Sequence, residues 1–254
     1  MIKQFFQNSV LYAYQLVKDT GFLTTPTGQK LSRNAYFLYK NIYEPNLNHL
    51  KAMIAPDSTI IDVGANIGFL SIKFSKWISK KGLVIAIEPE PLNVQILKQT
   101  LGEKKISNVE VINGAAAEKE GTLFLKLNPL NPADHRLSDQ GIPIKAFTID
   151  SLLDGKGCLP VSLIKIDVQG AEPRVLQGAK NTISQYKPII FIEIDDESLN
   201  AAGFTSNGLI DLLRSYGYGL WDEQKQQIRP YSEEDHTIRK KLGYADYIFI
   251  HADR

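Results

Sequence analysis

The segment IIDVGANIGF, residues 60–69, combines residue types and spacing that point to nucleotide chemistry. It predicts a buried strand, a glycine-rich turn and the start of a helix, an arrangement that many enzymes use to hold a nucleotide. A dinucleotide site needs the spacing G-x-G-x-x-G, because its middle glycine lets the backbone approach the pyrophosphate. Here the turn is Gly64-Ala65-Asn66-Ile67-Gly68, so Asn66 stands where that glycine is required.

An acidic residue inside the predicted strand, Asp62, lies two residues before Gly64. Its carboxylate would repel a pyrophosphate but would suit a ligand that carries an ammonium group. S-adenosylmethionine carries an ammonium group and a sulfonium and has no phosphate. Glu88, 26 residues after Asp62, ends the next predicted strand, where an acid can accept hydrogen bonds from ribose hydroxyls. Because Glu88 suits either nucleotide, Asp62 and the glycine spacing decide for S-adenosylmethionine, with an NAD(P)-dependent oxidoreductase as the alternative.

The segment NPADHRL carries the candidates for work on a second substrate. His135 titrates near neutral pH and neighbouring Asp134 could orient its ring, so we predict His135 as a general base with Asp134 as its partner. Arg136 could orient a carboxylate or sugar hydroxyls of an acceptor, or could be a surface charge. A solvated loop histidine is the alternative for His135. The loop follows the third predicted strand, from which it could fold over the ligand side.

Acidic residues also follow the fifth predicted strand, in FIEIDDES. Glu193 lies at the expected rim of the site, and we predict that it contacts the acceptor. Asp195 and Asp196 are equally well explained as a helix N-cap and a first-turn acid. Carboxylates suit hard cations, so Mg²⁺ is possible but not favoured, and we assign no metal ligand.

Short apolar runs alternate with amphipathic helices from Ser58 onwards, which predicts a doubly wound parallel sheet covered by helices on both faces. Ligands of such sheets bind outside the carboxyl ends of the strands. The predicted strands are TIIDVGA, GLVIAIEP, NVEVINGA, SLIKIDV and PIIFIEI, and one of the predicted helices is EPRVLQGAKNTISQY.

Two further pairs of strands break this alternation. EGTLFLKLN and IPIKAFTI predict an antiparallel pair around the polar loop PLNPADHRLSDQG. YGLWDEQ and DYIFIHA predict an antiparallel edge, joined by a long polar connection. Residues 1–55 predict a helical N-terminal extension that covers the site, and residues 56–254 the α/β domain.

The composition excludes several partner classes. Twenty-nine basic and 28 acidic residues give a net charge of +1, so we expect neither nucleic acid nor an acidic membrane surface as a partner. No apolar run approaches the ~18 residues of a membrane span, and the N-terminus lacks the features of a signal peptide. The single cysteine, Cys158, cannot form an intrachain disulfide, and we expect a cytoplasmic protein.

Four segments together resemble the FkbM-type S-adenosylmethionine-dependent methyltransferases over about residues 40–195: IIDVGANIGF, AIEPEPLN, LIKIDVQGAEPRVLQGA and PIIFIEI. The resemblance implies a class I, Rossmann-like methyltransferase fold with a seven-stranded sheet. It also implies methyl transfer to a hydroxyl of a small molecule, such as a sugar or a secondary metabolite of natural-product biosynthesis. A catalytically silent cofactor-binding fold that serves as an interaction subunit is a third hypothesis. The oligomeric state stays open, and a homodimer is possible.

The resemblance carries over to single positions of this sequence. It places Glu88 at the ribose, Pro89 beside the adenine and Asp167 at the end of the fourth strand near the sulfonium. Glu44, just upstream of the glycine strand, is a further candidate contact. Gln169 departs from the family pattern, which commonly has Glu there, so a role for a carboxylate at this position is in doubt. The residues expected to line the methionine end of the cofactor are Asp62, Gly64, Ala65, Asn66 and Gly68.

Overall fold

The computed structural model describes residues 25–43, 47–128, 135–157, 159–232, 234–235, 237 and 244–254. The helices of this part are α1 (Pro26–Tyr43), α2 (Asn48–Ala52), α3 (Phe69–Phe74), α4 (Pro91–Glu103), α5 (Ile149–Leu153), α6 (Glu172–Gln177), α7 (Lys180–Tyr186), α8 (Asp196–Ala201) and α9 (Ser206–Ser215). The strands are β1 (Thr59–Val63), β2 (Leu83–Glu88), β3 (Val109–Asn113), β4 (Ala115–Ala116), β5 (Gly121–Lys126), β6 (Arg136–Ser138), β7 (Ile142–Phe147), β8 (Val161–Ile166), β9 (Ile189–Asp195), β10 (Tyr218–Asp222), β11 (Gln227–Arg229) and β12 (Tyr244–His251).

The central sheet has eight strands in the order β11-β10-β12-β9-β8-β1-β2-β3. Its middle strands β9, β8, β1, β2 and β3 are parallel, which confirms the predicted doubly wound arrangement. The chain leaves β1 in one direction towards β2 and β3 and later returns to β8 on the other side of β1. The switch point therefore lies between β1 and β8, where ligands of such sheets bind at the carboxyl ends.

The core explains why the parallel strands read as nearly continuous apolar runs. In β1, Ile61 and Val63 belong to a cluster on one face of the sheet, and Ile60 belongs to a cluster on the other face. Both faces are covered, so every residue of β1 is buried. Since side chains alternate along a strand, Asp62 points to the face of Ile60. By the same alternation Lys165 points to that face from β8.

The far end of the sheet differs in one respect from the sequence-based expectation of seven strands. The polar connection between β10 and β12 contains a three-residue strand, β11, which pairs antiparallel with β10 and forms the edge. The strand predicted last, β12, lies between β9 and β10 and runs antiparallel to both. β11 was missed because a three-residue polar segment carries no periodicity and is formed by pairing with its neighbour.

A second sheet of four strands, in the order β4-β7-β5-β6, follows β3. The predicted antiparallel pair is confirmed as β5 with β7. The segment predicted as a polar loop contains another strand, β6, which pairs with β5. Arg136 is thus a strand residue, opposite Lys126, and His135 immediately precedes the strand.

The predicted helix EPRVLQGAKNTISQY is two helices, α6 and α7, with Gly178 and Ala179 between them. A Cβ atom on Gly178 would lie 2.0 Å from the carbonyl oxygen of Ala117, so only glycine allows the chain to pass this close to the neighbouring backbone.

Helices α1 and α2 are the described elements of the predicted N-terminal extension. The Arg33 guanidinium donates to Thr100 Oγ1 at 3.1 Å and also bonds Glu103, which ties α1 to α4. The ring of Phe37 meets that of Phe69 edge-on, with centroids 5.7 Å apart. Within the described ranges, no helix has both the length and the apolar character needed to cross a membrane. The division of the chain at residue 55 stays a prediction.

Candidate active site

The glycine turn after β1 is closely packed against its neighbours. Gly64 and Gly68 have φ angles of +79° and +89°, and Cβ atoms on them would lie 1.9 Å from the Asp167 carbonyl oxygen and 2.1 Å from Leu97 Cδ1. Asn66 has a φ of +50°, a left-handed conformation that Asn tolerates better than most residues. Both glycines are therefore required for the turn to sit between β8 and α4.

Every backbone N–H of this turn is already used inside the protein. Those of Gly64 and Ala65 both donate to the Ile87 carbonyl at 3.0 Å, and that of Gly68 donates to the Ala65 carbonyl at 2.9 Å. The Asn66 N–H donates to Glu88 Oε2 at 2.8 Å. The remaining N–H, that of Ile67, donates to the side-chain oxygen of Asn66 at 2.6 Å. The N–H groups of residues 64–68 are thus not available to a ligand.

Glu88, at the end of β2, connects the turn to the start of α4. Its Oε1 accepts from the backbone N–H of Glu90 at 3.0 Å and from Asn93 Nδ2 at 3.2 Å, besides the bond from Asn66 to Oε2. Burial raises the pKa of Glu88 to about 7, against the lowering effect of these donors. A carboxylate has about four acceptor positions, so one remains for a ligand hydroxyl. Pro89 follows, and its carbonyl accepts from Asn113 Nδ2 at 3.1 Å.

Asp62 lies below the turn and is 1% exposed. Ser71 Oγ donates to its Oδ2 at 2.6 Å, whereas its Oδ1 has no hydrogen-bond partner among the described residues. Lys165 Nζ lies 3.8 Å from Oδ1. Burial raises the pKa of Asp62, and the charge of Lys165 and the Ser71 hydroxyl oppose that shift. The unsatisfied group of the turn is therefore an acceptor, and it suits a cation.

Lys165 is a buried cation that the sequence analysis overlooked. Its Nζ lies 3.2 Å from Asp167 Oδ2 and 3.4 Å from the carbonyl oxygen of Gly64. Burial lowers the pKa of Lys165, but Asp167 and Asp62 outweigh this effect and raise it overall. The signal was present in SLIKIDV, where a lysine interrupts a buried apolar strand two residues before an aspartate.

Gln169 links the carboxyl group of Asp167, which follows β8, to that of Glu193, which belongs to β9. Its Nε2 donates to Asp167 Oδ1 at 3.3 Å and to Glu193 Oε2 at 3.2 Å, and its Oε1 accepts from Ser198 Oγ at 3.4 Å. Burial raises the pKa of Asp167, but Lys165 and Lys40 lower it below its ordinary value. Burial, the charge of Asp167 and a hydrogen bond to it hold the pKa of Glu193 well above its ordinary value.

Glu172 closes the loop that carries Gln169, and it too was absent from the predicted site. Its Oε1 accepts from the backbone N–H groups of Val168 at 3.3 Å and Gly170 at 3.1 Å, and burial raises the pKa of Glu172 to about 7. Gly170 has a φ of +99°, and a Cβ atom there would lie 2.2 Å from the Ser198 carbonyl oxygen. Glu172 and Gly170 thereby fix the backbone conformation of the loop.

The structure brings together most of the predicted site residues, with the histidine as an exception. Asp62, Asp167 and Glu193 form one network with Lys165 and Gln169. In the described part of the chain, the hydrogen bonds of this network do not include His135.

His135 accepts a hydrogen bond at Nδ1 from the Asn128 backbone N–H, 3.0 Å away. A neutral imidazole that accepts at Nδ1 carries its proton on Nε2, so acting as a base would require that bond to break. Its role as a base stays a prediction, as does the role of Arg136. The predicted Asp134 and Glu44 lie outside the described residues, as does Cys158.

The interpretation of Asp195 and Asp196 as a helix N-cap and a first-turn acid is confirmed. Asp195 is the N-cap of α8 and accepts from the Glu197 N–H at 3.0 Å, and Asp196 lies in the first turn. Among the residues that the structure describes, no three His, Cys, Asp or Glu side chains come close enough to form a metal site.

Helix α1 lies beside this network. The charge of Lys40, in the last turn of α1, acts on both Asp167 and Lys165. Phe37, one turn earlier, packs on Phe69 at the start of α3. Helix α1 therefore packs against the start of α3, and Lys40 is close enough for its charge to act on Asp167 and Lys165.

Residues 62–220 of the chain match the model of the Methyltransferase FkbM domain. The chain belongs to the FkbM methyltransferase family. This FkbM protein is 26% identical over 179 residues to the 2-O-methyltransferase NoeI of Sinorhizobium fredii, which covers 63% of this chain and 73% of NoeI. It is 26% identical over 240 residues to Methyltransferase 1 of Beauveria bassiana, over 85% of this chain and 92% of that protein.

The solved structure of an FkbM methyltransferase from Methylobacillus flagellatus KT shares the fold, with a TM-score of 0.52 and 19% sequence identity. The match covers 85% of this chain and 50% of that chain, so this FkbM protein spans half the length of that relative. The fold is the Rossmann-like class I methyltransferase fold, as the sequence predicts.

Proposed function

We propose that this FkbM protein is an S-adenosylmethionine-dependent O-methyltransferase that methylates a hydroxyl of a small molecule, a sugar or a secondary metabolite. One observation carries the choice of cofactor: the backbone N–H groups of residues 64–68 are all used inside the protein, whereas Asp62 Oδ1, buried beneath the turn, is an acceptor without a hydrogen-bond partner among the described residues. The family and the printed name of NoeI, a 2-O-methyltransferase, support the reaction class. The cytoplasm as its location is part of the same proposal.

The residues present fit this cofactor. Asp62 Oδ1, which has no hydrogen-bond partner among the described residues, would accept from its ammonium group. The remaining acceptor position of Glu88 would take a ribose hydroxyl, and Pro89 would border the adenine. When bound, S-adenosylmethionine supplies the methyl group and leaves as a neutral thioether.

The chain itself must align the acceptor, exclude water and take up a proton. Alignment behind the methyl group can supply a large part of the acceleration, up to about 7–11 kcal/mol of the barrier in well-oriented systems. Helix α1, which packs on the start of α3 through Phe37, is the element that would cover the site and exclude water. Two candidates can take the proton: His135, after release of its bond from Asn128, and the carboxyl groups of Asp167 and Glu193.

Calorimetry tests the cofactor. We expect S-adenosylhomocysteine, the reaction product, to bind the protein and NAD⁺ not to bind. Asp62→Asn keeps the shape but removes the charge, so affinity should fall about 10- to 100-fold, the equivalent of a lost charge-assisted hydrogen bond. Asp57→Asn, at an exposed carboxylate that bonds Ser79, is the matched control and should bind as the wild type does. Binding of NAD⁺ alone would overturn the proposal.

Turnover separates the methyltransferase from a silent cofactor-binding subunit. A panel of sugars and hydroxylated metabolites is incubated with S-adenosylmethionine labelled in the methyl group. We expect label in at least one acceptor, resistant to the mild base that cleaves methyl esters. Label confined to amines or carboxyl groups would contradict O-methylation of a hydroxyl.

A further inference from the structure

The carboxyl groups of Asp167 and Glu193 share one hydrogen-bond donor, the side-chain amide of Gln169, beside the switch point. They come from adjacent parallel strands, β8 and β9, and one side-chain amide group, Nε2 of Gln169, donates to both. Gln169 holds this position with a φ of +54°, a conformation that is costly for a residue with a long side chain. The two carboxyl groups and the amide are thus fixed relative to one another.

The order of the strands places this pair on the acceptor side. Along the carboxyl ends, Glu88 belongs to β2, Asp62 to β1, Asp167 follows β8 and Glu193 belongs to β9. The inference rests on the proposed function, in which Glu88 and Asp62 hold the two ends of the cofactor. A second substrate must then approach from β8 and β9, where Asp167 and Glu193 are the carboxyl groups of the network.

We propose that the Asp167–Glu193 pair accepts the proton of the acceptor hydroxyl, and that Gln169 is the positioning residue that holds the pair together. The acceptor oxygen forms a bond to the methyl carbon, and the carbon–sulfur bond breaks with its electron pair on sulfur. The hydroxyl proton passes to the carboxyl pair and later to water. The atoms and charges balance, because a cationic methyl donor and a hydroxyl give an ether, a neutral thioether and one proton.

Several charged groups face Glu193 and set its protonation. Asp167 and Asp246, the latter directly opposite on β12, raise its pKa, and Lys165 on β8 lowers it. Lys40 on α1 acts on Asp167, and Gln169 donates to the ionised forms of both carboxyl groups. Because the pKa of Glu193 is raised and that of Asp167 is lowered, the pair gains capacity as a proton acceptor as the pH rises.

The first test uses the protein without cofactor or acceptor. Infrared spectroscopy follows the carbonyl stretch of protonated carboxyl groups against pH, and subtraction of the Glu193→Gln spectrum isolates Glu193 from Glu88 and Glu172. We expect Asp246→Asn to lower the titration midpoint of Glu193, and Gln169→Met, which removes both donors, to raise it. Each shift should be on the order of 0.5 to 1 pH unit, and exposed Asp211→Asn should cause none. Unshifted midpoints in both variants would overturn the proposal that Asp167 and Glu193 act as a pair held by Gln169.

The second test measures kcat/KM against pH with the hydroxyl acceptor found in the labelled-methyl screen. The pKa of the acidic limb of this profile should fall in Asp246→Asn and rise in Gln169→Met. Glu193→Gln should lower kcat about 10²- to 10⁴-fold, while affinity for S-adenosylhomocysteine changes less than about threefold. Retained kcat in Glu193→Gln would overturn this inference and leave the proposed function intact. Failure of the wild type to bind S-adenosylhomocysteine would instead remove the proposed function and the inference together.

Discussion

Lys165 lies between the buried carboxyl group of Asp62 and that of Asp167, which is 32% exposed, and its removal should cost more than the loss of an exposed ion pair. Lys165→Met would leave Asp62 and Asp167 without their cation, and breaking a buried pair in this way costs about 3–5 kcal/mol. Lys165→Arg keeps the charge and should retain part of that stability. Urea unfolding gives the free energies. Lys187→Met, at the exposed pair with Asp253, is the control and should change stability little; an equally small effect at Lys165 would contradict its assigned role.

A substitution that keeps the hydrogen bond of His135 tests whether this residue is the general base. His135→Gln retains an acceptor for the Asn128 N–H but cannot take up a proton near neutral pH. Since the network of Asp62, Asp167 and Glu193 does not include His135, we expect kcat to fall less than about tenfold. A loss of about 10²- to 10⁴-fold with unchanged affinity for S-adenosylhomocysteine would restore His135 as the base.

At the scale of elements, α1 presents two different faces. On one face, Arg33 bonds α4, Phe37 packs on α3, and the charge of Lys40 acts on Asp167. On the other face, Leu38 is 62% exposed. Phe37→Ala should lower the free energy of unfolding by about 1–2 kcal/mol, because part of the ring and its contact with Phe69 are lost. It should also speed dissociation of S-adenosylhomocysteine, measured by stopped flow. Leu38→Ala is the matched control on the same helix, and equal effects of both variants would contradict a covering role.

The same scale shows which elements a sequence can predict. β1, β2, β8 and β9 were predicted because strands buried on both faces read as apolar runs between helices. β6 and β11 have three residues each and exist through pairing with a neighbour, so no local pattern announces them. Among the candidate site residues, Asp62 and the glycines belong to one local motif and Glu88 ends the next strand, so the spacing of the sequence is enough to predict them. Lys165 and Gln169 gain their roles from partners on other strands, which spacing along the chain does not reveal.

At the scale of the whole molecule, buried carboxyl groups make stability depend on pH. Burial raises the pKa of Glu88 and Glu172 from 4.5 to about 7, and it also raises the pKa of Asp62 and Glu193. Each group favours the folded state in its protonated form. Its contribution is complete below the pKa of the unfolded chain and is lost as the pH rises through the folded pKa.

We therefore expect the ligand-free protein to lose stability between about pH 5 and about pH 8, by up to about 3 kcal/mol for each of Glu88 and Glu172. Carboxyl groups with lowered pKa, such as Asp167 and Asp235, act in the opposite sense, but their contribution is lost only as the pH falls below the ordinary range of Asp. Urea unfolding across this range measures the slope. Glu172→Gln cannot ionise and should flatten it, because the amide keeps an acceptor for the N–H groups of Val168 and Gly170. Stability that rises from pH 5 to pH 8 would show that these carboxyl groups are ionised in the folded state and that solvent or a bound cation reaches them.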